Sequence, residues 1–357
     1  MKKSAWLPAV IAPVVVAGAV AVAAPMIASA AQEPIAGTQP SAADVIASIA
    51  HSSDAAYSGK LAQTSDLGLP ELPTGSGGSS LEGDASDVLG LLTSSHTARV
   101  YVDGEDKQRF QLTQQLAEQD VVRNGSDVWT WDSEDRTATH VTLPSGSAGD
   151  HLRDGTATPA DIARQAVDAI TPTTTVSKPT RVSVAGHDAW QITLTPKSSD
   201  TLVGSVQLAV DQQTGLPLRA AVTAAGQDDP AVQVGFTSLS YGAPAARLFD
   251  FTAPANATVT EKDLSDVRQH ARDHARGDRP AGPAVTGTGW DTIAELPAGT
   301  VDQSSLGEQA SGLLDQLTTP VDGGRAVQTS LVSVYLTDDG RVLAGAVPVS
   351  SLVAAAK

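Results

Sequence analysis

No cysteine occurs in this chain of 357 residues. The absence excludes a disulfide framework, a thiol nucleophile, a Cys-ligated metal site and N-terminal lipid attachment. Basic side chains are also scarce: 23 Lys and Arg stand against 40 Asp and Glu, for a formal net charge of -17. A field of that sign repels phosphate backbones and anionic head groups, so no nucleic-acid partner is expected. Catalytic signatures are missing as well. The sequence has no Gly-x-Ser-x-Gly elbow, no His-Glu-x-x-His pair and no P-loop, which removes the commonest hydrolytic and phosphate-handling chemistries. His270 and His274 are four residues apart, but the Arg and Asp around them mark a solvated, charged helix rather than a metal site. The expectation is a protein that is not an enzyme and uses no metal and no cofactor.

What is present begins with export. Lys2 and Lys3 precede an apolar run from Ala5, and Ala28-Ser29-Ala30 gives the small-x-small pattern that a signal peptidase reads, favouring cleavage before Ala31. The run is also long enough for an uncleaved anchor. Residues 1–31 are therefore read as a signal peptide or N-terminal membrane anchor. The remainder is expected to work outside the cytoplasmic membrane, in the cell envelope or secreted.

The exported part is mainly strands. "SAADVIASIAHSS" starts with Ser41 and Asp44 in capping-box spacing, followed by Val45, Ile46 and Ile49 at helical intervals. "YSGKL" opens the first strand, and a Gly/Pro/Ser-rich insertion follows. From His96 the apolar residues recur at every second position, with Asp103-Gly104 and Asn124-Gly125 supplying hairpin turns. Phe110 and Leu112 alternate in one strand, Trp129 and Trp131 in another, and Val141 and Leu143 in the next. "TPADIARQAVDAI" reads as a helix capped by Thr158 with Pro159 at its first position. Strands then return, with Trp190, Ile192 and Leu194 aligned in one and Phe249 with Phe251 in "RLFDFTAP". A charged helix and Gly/Pro linker over 261–286 and a small α+β extension over 287–357 complete the chain.

The segments "RNGSDVWTWDSEDRTATHVTL" and "DQQTGLPLR", in an order that runs from "YSGKL" to "FDFTAPANATV", resemble the LolA/RseB-type superfamily of exported lipoprotein carriers and envelope sensors, in its actinobacterial branch. The resemblance covers about Ser41 to Thr260. It implies an α+β, mainly β fold over residues 32–260, a large curved antiparallel sheet forming a half-open barrel with helices over its mouth. It further implies a cavity for a lipid or the acyl chains of a lipidated protein, with a membrane-bound regulatory partner as the alternative. On that reading Phe110, Leu112, Trp129, Trp131, Val141, Trp190, Ile192 and Leu194 are wall candidates, and Ile162, Ala166 and Ile170 are lid candidates. Read from the residues alone, the same side chains serve equally as ordinary core, because i, i+2 aromatics fit any half-buried pleated surface.

Overall fold

In a computed structural model of the protein, the described residues are 39–49, 52, 55–68, 95–113, 117–143, 170–263, 284–298 and 317–357. Residues 1–31 expected as the export segment, the Gly/Pro/Ser-rich insertion, the helix expected from Thr158 apart from Ile170, and the stretch holding His270 and His274 lie outside them. So does most of "SSLGEQASGLLDQLT", which the apolar spacing marks as helical.

Two helices and nineteen strands make up the described fold. Helix α1 (Ala42–Ile49) comes first. Its capping box forms as the sequence requires: Ser41 N donates to Asp44 Oδ2 at 2.9 Å, and Asp44 N donates to Ser41 Oγ at 3.2 Å. The large sheet then contains β1 (Ala56–Ser65), β2 (His96–Asp103), β3 (Lys107–Thr113), β4 (Glu118–Asn124), β5 (Asp127–Asp132) and β6 (Thr137–Thr142). It continues with β7 (Thr174–Val176), β8 (Thr180–Val184), β9 (His187–Pro196), β10 (Val203–Asp211), β11 (Pro217–Ala224), β12 (Pro230–Tyr241) and β13 (Thr258–Asp263). The second sheet holds β14 (Ala284–Thr286), β15 (Ile293–Leu296), β16 (Thr319–Val321), β17 (Gly324–Gln328), β18 (Ser333–Thr337) and β19 (Val342–Gly345), and α2 (Val349–Ala355) packs on it.

The 13-stranded sheet runs β13-β6-β5-β4-β3-β2-β1-β12-β11-β10-β9-β7, with β8 also beside β9. Its end strands do not pair with each other, so it is a half-open barrel and not a closed one. Every pairing is antiparallel except β6 with β13, which is parallel. Register shifts occur in the β1–β12, β10–β11 and β11–β12 ladders. Bulges of this kind bend strands and increase twist. At one of them β1 and β12 approach closely: a Cβ on Gly59 would lie 2.7 Å from Ser238 O and 2.8 Å from the Phe236 ring.

Two expectations change at the end of the large sheet. "RLFDFTAP" is no strand: it forms a short 3-10 turn (Ala246–Leu248) and an extended link. The chain leaves β12 in the middle of the sheet and must reach the far edge, so it crosses the sheet instead of pairing within it. The charged run expected as helix from Glu261 begins as strand, because Glu261, Lys262 and Asp263 complete β13 against β6.

The second sheet does not stand apart. Trp290, 5% exposed, shares one core cluster with Leu331 and Ala346 of the C-terminal part and with Val203, Ala224, Ala231 and Val232 of the large sheet. Its Nε1 donates to Thr174 Oγ1 at 2.8 Å, and both Leu202 N and Thr201 Oγ1 donate to Ala346 O. Two stability predictions follow from these contacts. Gly59→Ala should cost about 1–3 kcal/mol through overpacking, read as a lower urea midpoint at unchanged slope. Trp290→Ala should cost about 3–5 kcal/mol, and thermal melts should show the loss in residues of both sheets rather than in the C-terminal part alone.

Candidate functional site

Strand register divides the candidate side chains between two faces. Phe110 stands opposite Val100 and Val121, and Leu112 opposite Ala98 and Gln119. Val141 stands opposite Val128, on the same side as Val121. Through Leu61 and Gln63 of β1 this side continues to Val232 and Val234 of β12, then to Val222 and Ala220, Val206 and Leu208, and finally Leu194, Ile192 and Trp190. It is apolar over most of its width. Trp129 and Trp131 belong to the other side. Their partners are Val122 and Asp120 on β4 and His140 and Ala138 on β6, and Val122 stands opposite Arg109. On β9 to β12 this second side carries Gln191, Gln207, Arg219 and Gln233, with Arg219 Nη2 donating to Gln191 Oε1 at 2.7 Å.

Trp129 is covered by the crossover from β12. Phe251 packs on Trp129 with ring centroids 5.3 Å apart, and Phe249 is 1% exposed. On the other flank of Trp129 the His140 imidazole stacks at 4.4 Å with an interplanar angle of 14°. Beneath the same segment lies an ion pair: Arg109 Nη2 meets Asp120 Oδ2 at 2.6 Å, and Arg109 Nη1 donates to Leu248 O at 3.2 Å. Asp120 is 3% exposed, and its Oδ1 accepts no hydrogen bond among the described residues. Burial pushes the Asp120 carboxyl above the usual range, and the Arg109 charge only partly offsets that. This side of the sheet is therefore filled locally around Trp129, which is held between aromatic rings from the chain itself.

The apolar side is covered in two places. Helix α1 lies over one end of β9 and β10, where Val45 shares a core cluster with Ile192 and Val210, and Trp190 and Leu208 pack against it. Arg181 adds its guanidinium 5.2 Å from the Trp190 ring centroid. Farther along the same strands, Leu194, Val206 and Val222 pack against the cluster that contains Trp290. On the β2–β6 half, Leu112 is buried, Val121, Val128 and Val141 are half-buried, and Phe110 is 37% exposed. Among the described residues, Phe110 belongs to none of the core clusters. Ile162 and Ala166 lie outside the described residues. Ile170 is half-buried, and its carbonyl accepts from Thr173 N at 3.1 Å and Thr173 Oγ1 at 3.2 Å.

Sequence reasoning passed over Trp290, His140 and Glu261. Trp290 was legible as an isolated aromatic in "GWDTIAELP", but its destination on the large sheet is a contact between distant segments. No local pattern pairs His140 with Glu261. No group of three or more His, Asp or Glu that could hold a metal occurs among the described residues, and no described helix is long and apolar enough to cross a membrane.

Residues 90–262 match the family model of the MucB/RseB N-terminal domain. No curated protein matches the sequence. Solved structures similar to this chain include MucB in complex with MucA(peri), at 17% identity over 87% of this chain and 95% of that one, with a TM-score of 0.43. A LolA superfamily protein from Nitrosomonas europaea is similar at 12% identity over 59% of this chain and 98% of that one, TM-score 0.23. LprF from Mycobacterium bovis is similar at 14% identity over 61% and 99%, TM-score 0.25. The match over residues 90–262 supports the resemblance of this part of the chain to the LolA/RseB-type superfamily.

Proposed function

We propose that this is an exported cell-envelope protein that binds a lipid, or the acyl chains of a lipidated protein, against the β2–β6 half of its apolar sheet face, as a carrier does. The observation that carries the reading is the exposed Phe110 ring on a face that otherwise runs Val100, Val121, Val128 and Val141. An aliphatic chain laid there gains roughly 0.8 kcal/mol for each methylene it buries, and Arg123, which the register places on this face, is already paired with Asp106. Trp190, Ile192 and Leu194 are assigned to packing under α1 and Trp290, and Trp129 to packing under the crossover, on the same side of the sheet as Trp131. The proposed ligand face is thus narrower than the full set of candidates, with Phe110 at its centre and Leu112 and Val141 beside it. Ile162, Ala166 and Ile170 keep their proposed role as cover.

A second reading is an envelope-stress regulator acting through contact with a membrane-bound partner. The MucB/RseB family match favours it, and a crystal structure of MucB with MucA(peri) is among the similar structures. Carrier and regulator can share one scaffold, since fold alone does not set function.

The test is titration of delipidated protein with a fluorescent fatty acid, paired with mass spectrometry of lipids extracted from the freshly purified protein. Phe110→Asp should weaken binding at least about tenfold, equivalent to about 1.4 kcal/mol, with a smaller drop in melting temperature than Leu112→Asp, because Phe110 is partly exposed and Leu112 is buried. Trp131→Ala should leave affinity unchanged. No probe binding by the unmodified protein, together with co-purification of a membrane protein, transfers the assignment to the regulator.

A further inference from the structure

Both ring nitrogens of His140 face carboxylates. Nδ1 lies 2.9 Å from Glu261 Oε2, and Nε2 lies 2.9 Å from Asp127 Oδ1. A neutral imidazole carries one N–H and one lone pair, so it can donate to only one of the two. The other carboxylate would then meet a lone pair at hydrogen-bonding distance, which is repulsive. Only the imidazolium donates to both. The nitrogens point away from each other across the ring, so the three side chains do not converge on a shared metal ion. The third surface of the ring is also occupied, by the Trp129 indole stacked at 4.4 Å, and an aromatic face attracts a cation.

These contacts join three strands. Asp127 comes from β5, His140 from β6 and Glu261 from β13, with His140 and Glu261 directly opposed in the parallel ladder. Among the described residues β13 pairs with β6 and with no other strand, and Thr258 to Glu261 are exposed. A parallel ladder at a sheet edge is slightly weaker per residue than an antiparallel one, so a side-chain contact that bridges the two strands matters more here than inside the sheet. We infer that His140 is a proton-dependent clasp that fastens β13 to the edge of the large sheet.

Two carboxylates set its titration. Asp127 faces the ring from β5 and Glu261 from β13. The crossover segment brings the uncharged Phe251 to the far side of Trp129. Burial disfavours the charged ring, but the hydrogen bonds to Glu261 and Asp127 outweigh it, and the His140 pKa is raised above the ordinary 6.5. For a base with a raised folded-state pKa, the stabilisation is complete below the unfolded value and disappears as pH rises through the folded one. The clasp is therefore closed in mildly acidic surroundings and loosens above the His140 pKa. Asp127 and Glu261 are 51% and 74% exposed, so added salt should weaken the dependence.

The experiment is NMR titration of the full chain labelled at histidine, with the His140 signal assigned by its loss in His140→Gln. It is combined with amide exchange of Thr258 to Asp263 across the same pH range, corrected for intrinsic exchange. Expected is a His140 midpoint above 6.5, with protection of the β13 amides falling through that midpoint while β1 and β2 amides keep theirs. Glu261→Gln should bring the midpoint back toward 6.5 and flatten the β13 response. Should His140→Gln fail to fold, Glu261→Gln and Asp127→Asn carry the comparison, and signal assignment then rests on through-bond connectivities. A His140 midpoint at or below 6.5, a β13 protection that ignores the titration, or a loss shared equally by β1 and β2 would each overturn the inference.

Discussion

Packing of the Trp290 indole on the Leu194, Val206 and Val222 side of the large sheet is the contact on which the rest of the arrangement depends. An open sheet with one apolar face must cover that face with something. Here the second sheet brings Trp290, Leu331 and Ala346 to it, and the Trp290–Thr174 hydrogen bond satisfies the indole N–H within an otherwise apolar contact. Helix α1 covers the adjoining area around Ile192 and Val210. Between them, these two elements occupy the β9–β12 half and leave Phe110 as the exposed aromatic on the β2–β6 half.

The opposite face follows a different rule. Over β9 to β12 it sets the half-buried Gln191, Gln207, Arg219 and Gln233 among the buried Ala189, Ala209 and Ala221. Across β3 to β6 it holds Trp129, Trp131 and Val122, which need cover. The crossover from β12 to β13 covers Trp129 with Phe251, and its Leu248 carbonyl accepts from Arg109, the partner of the buried Asp120. A buried ion pair is a poor source of net stability because desolvation opposes the attraction. Its geometric effect is clearer: Arg109 also donates to Leu248 O, which fixes where the crossover runs and thereby where β13 reaches β6.

Cover on both faces bears on how a carrier and a regulator can share this scaffold. The half of the apolar face nearest the C-terminal sheet is built into the fold, which is why the proposed ligand is set against the half around Phe110. The edge at β13 lies beside the other half of the chain's chemistry, where His140 couples strand pairing to protonation. A ligand face and a proton-responsive edge on one sheet are compatible with either role.

Much of the local structure was legible from residue type and spacing. The Ser41–Asp44 box, the positive φ of Gly104, Gly125 and Gly340 in their turns, and the two-residue alternation of β2 to β6 all depend on neighbours in sequence, and neighbours in sequence determined them. The open-sheet architecture was legible only through resemblance to a known family. Which face each strand presents to which neighbour was not legible. Trp129 and Trp190 both sit in alternating strands, and nothing local states that the register places them on opposite sides of one sheet. "RLFDFTAP" has the alternation of a strand but crosses the sheet, because an edge was vacant far away and the chain had to reach it. The sequence by itself determined the α1 cap, the hairpin turns and most of the strands, since each is a short-range balance of backbone conformation and side-chain hydrogen bonding. Only the tertiary structure decided that Trp290 covers the large sheet and that His140 meets Asp127 and Glu261, because those contacts join segments whose separation along the chain carries no local signature.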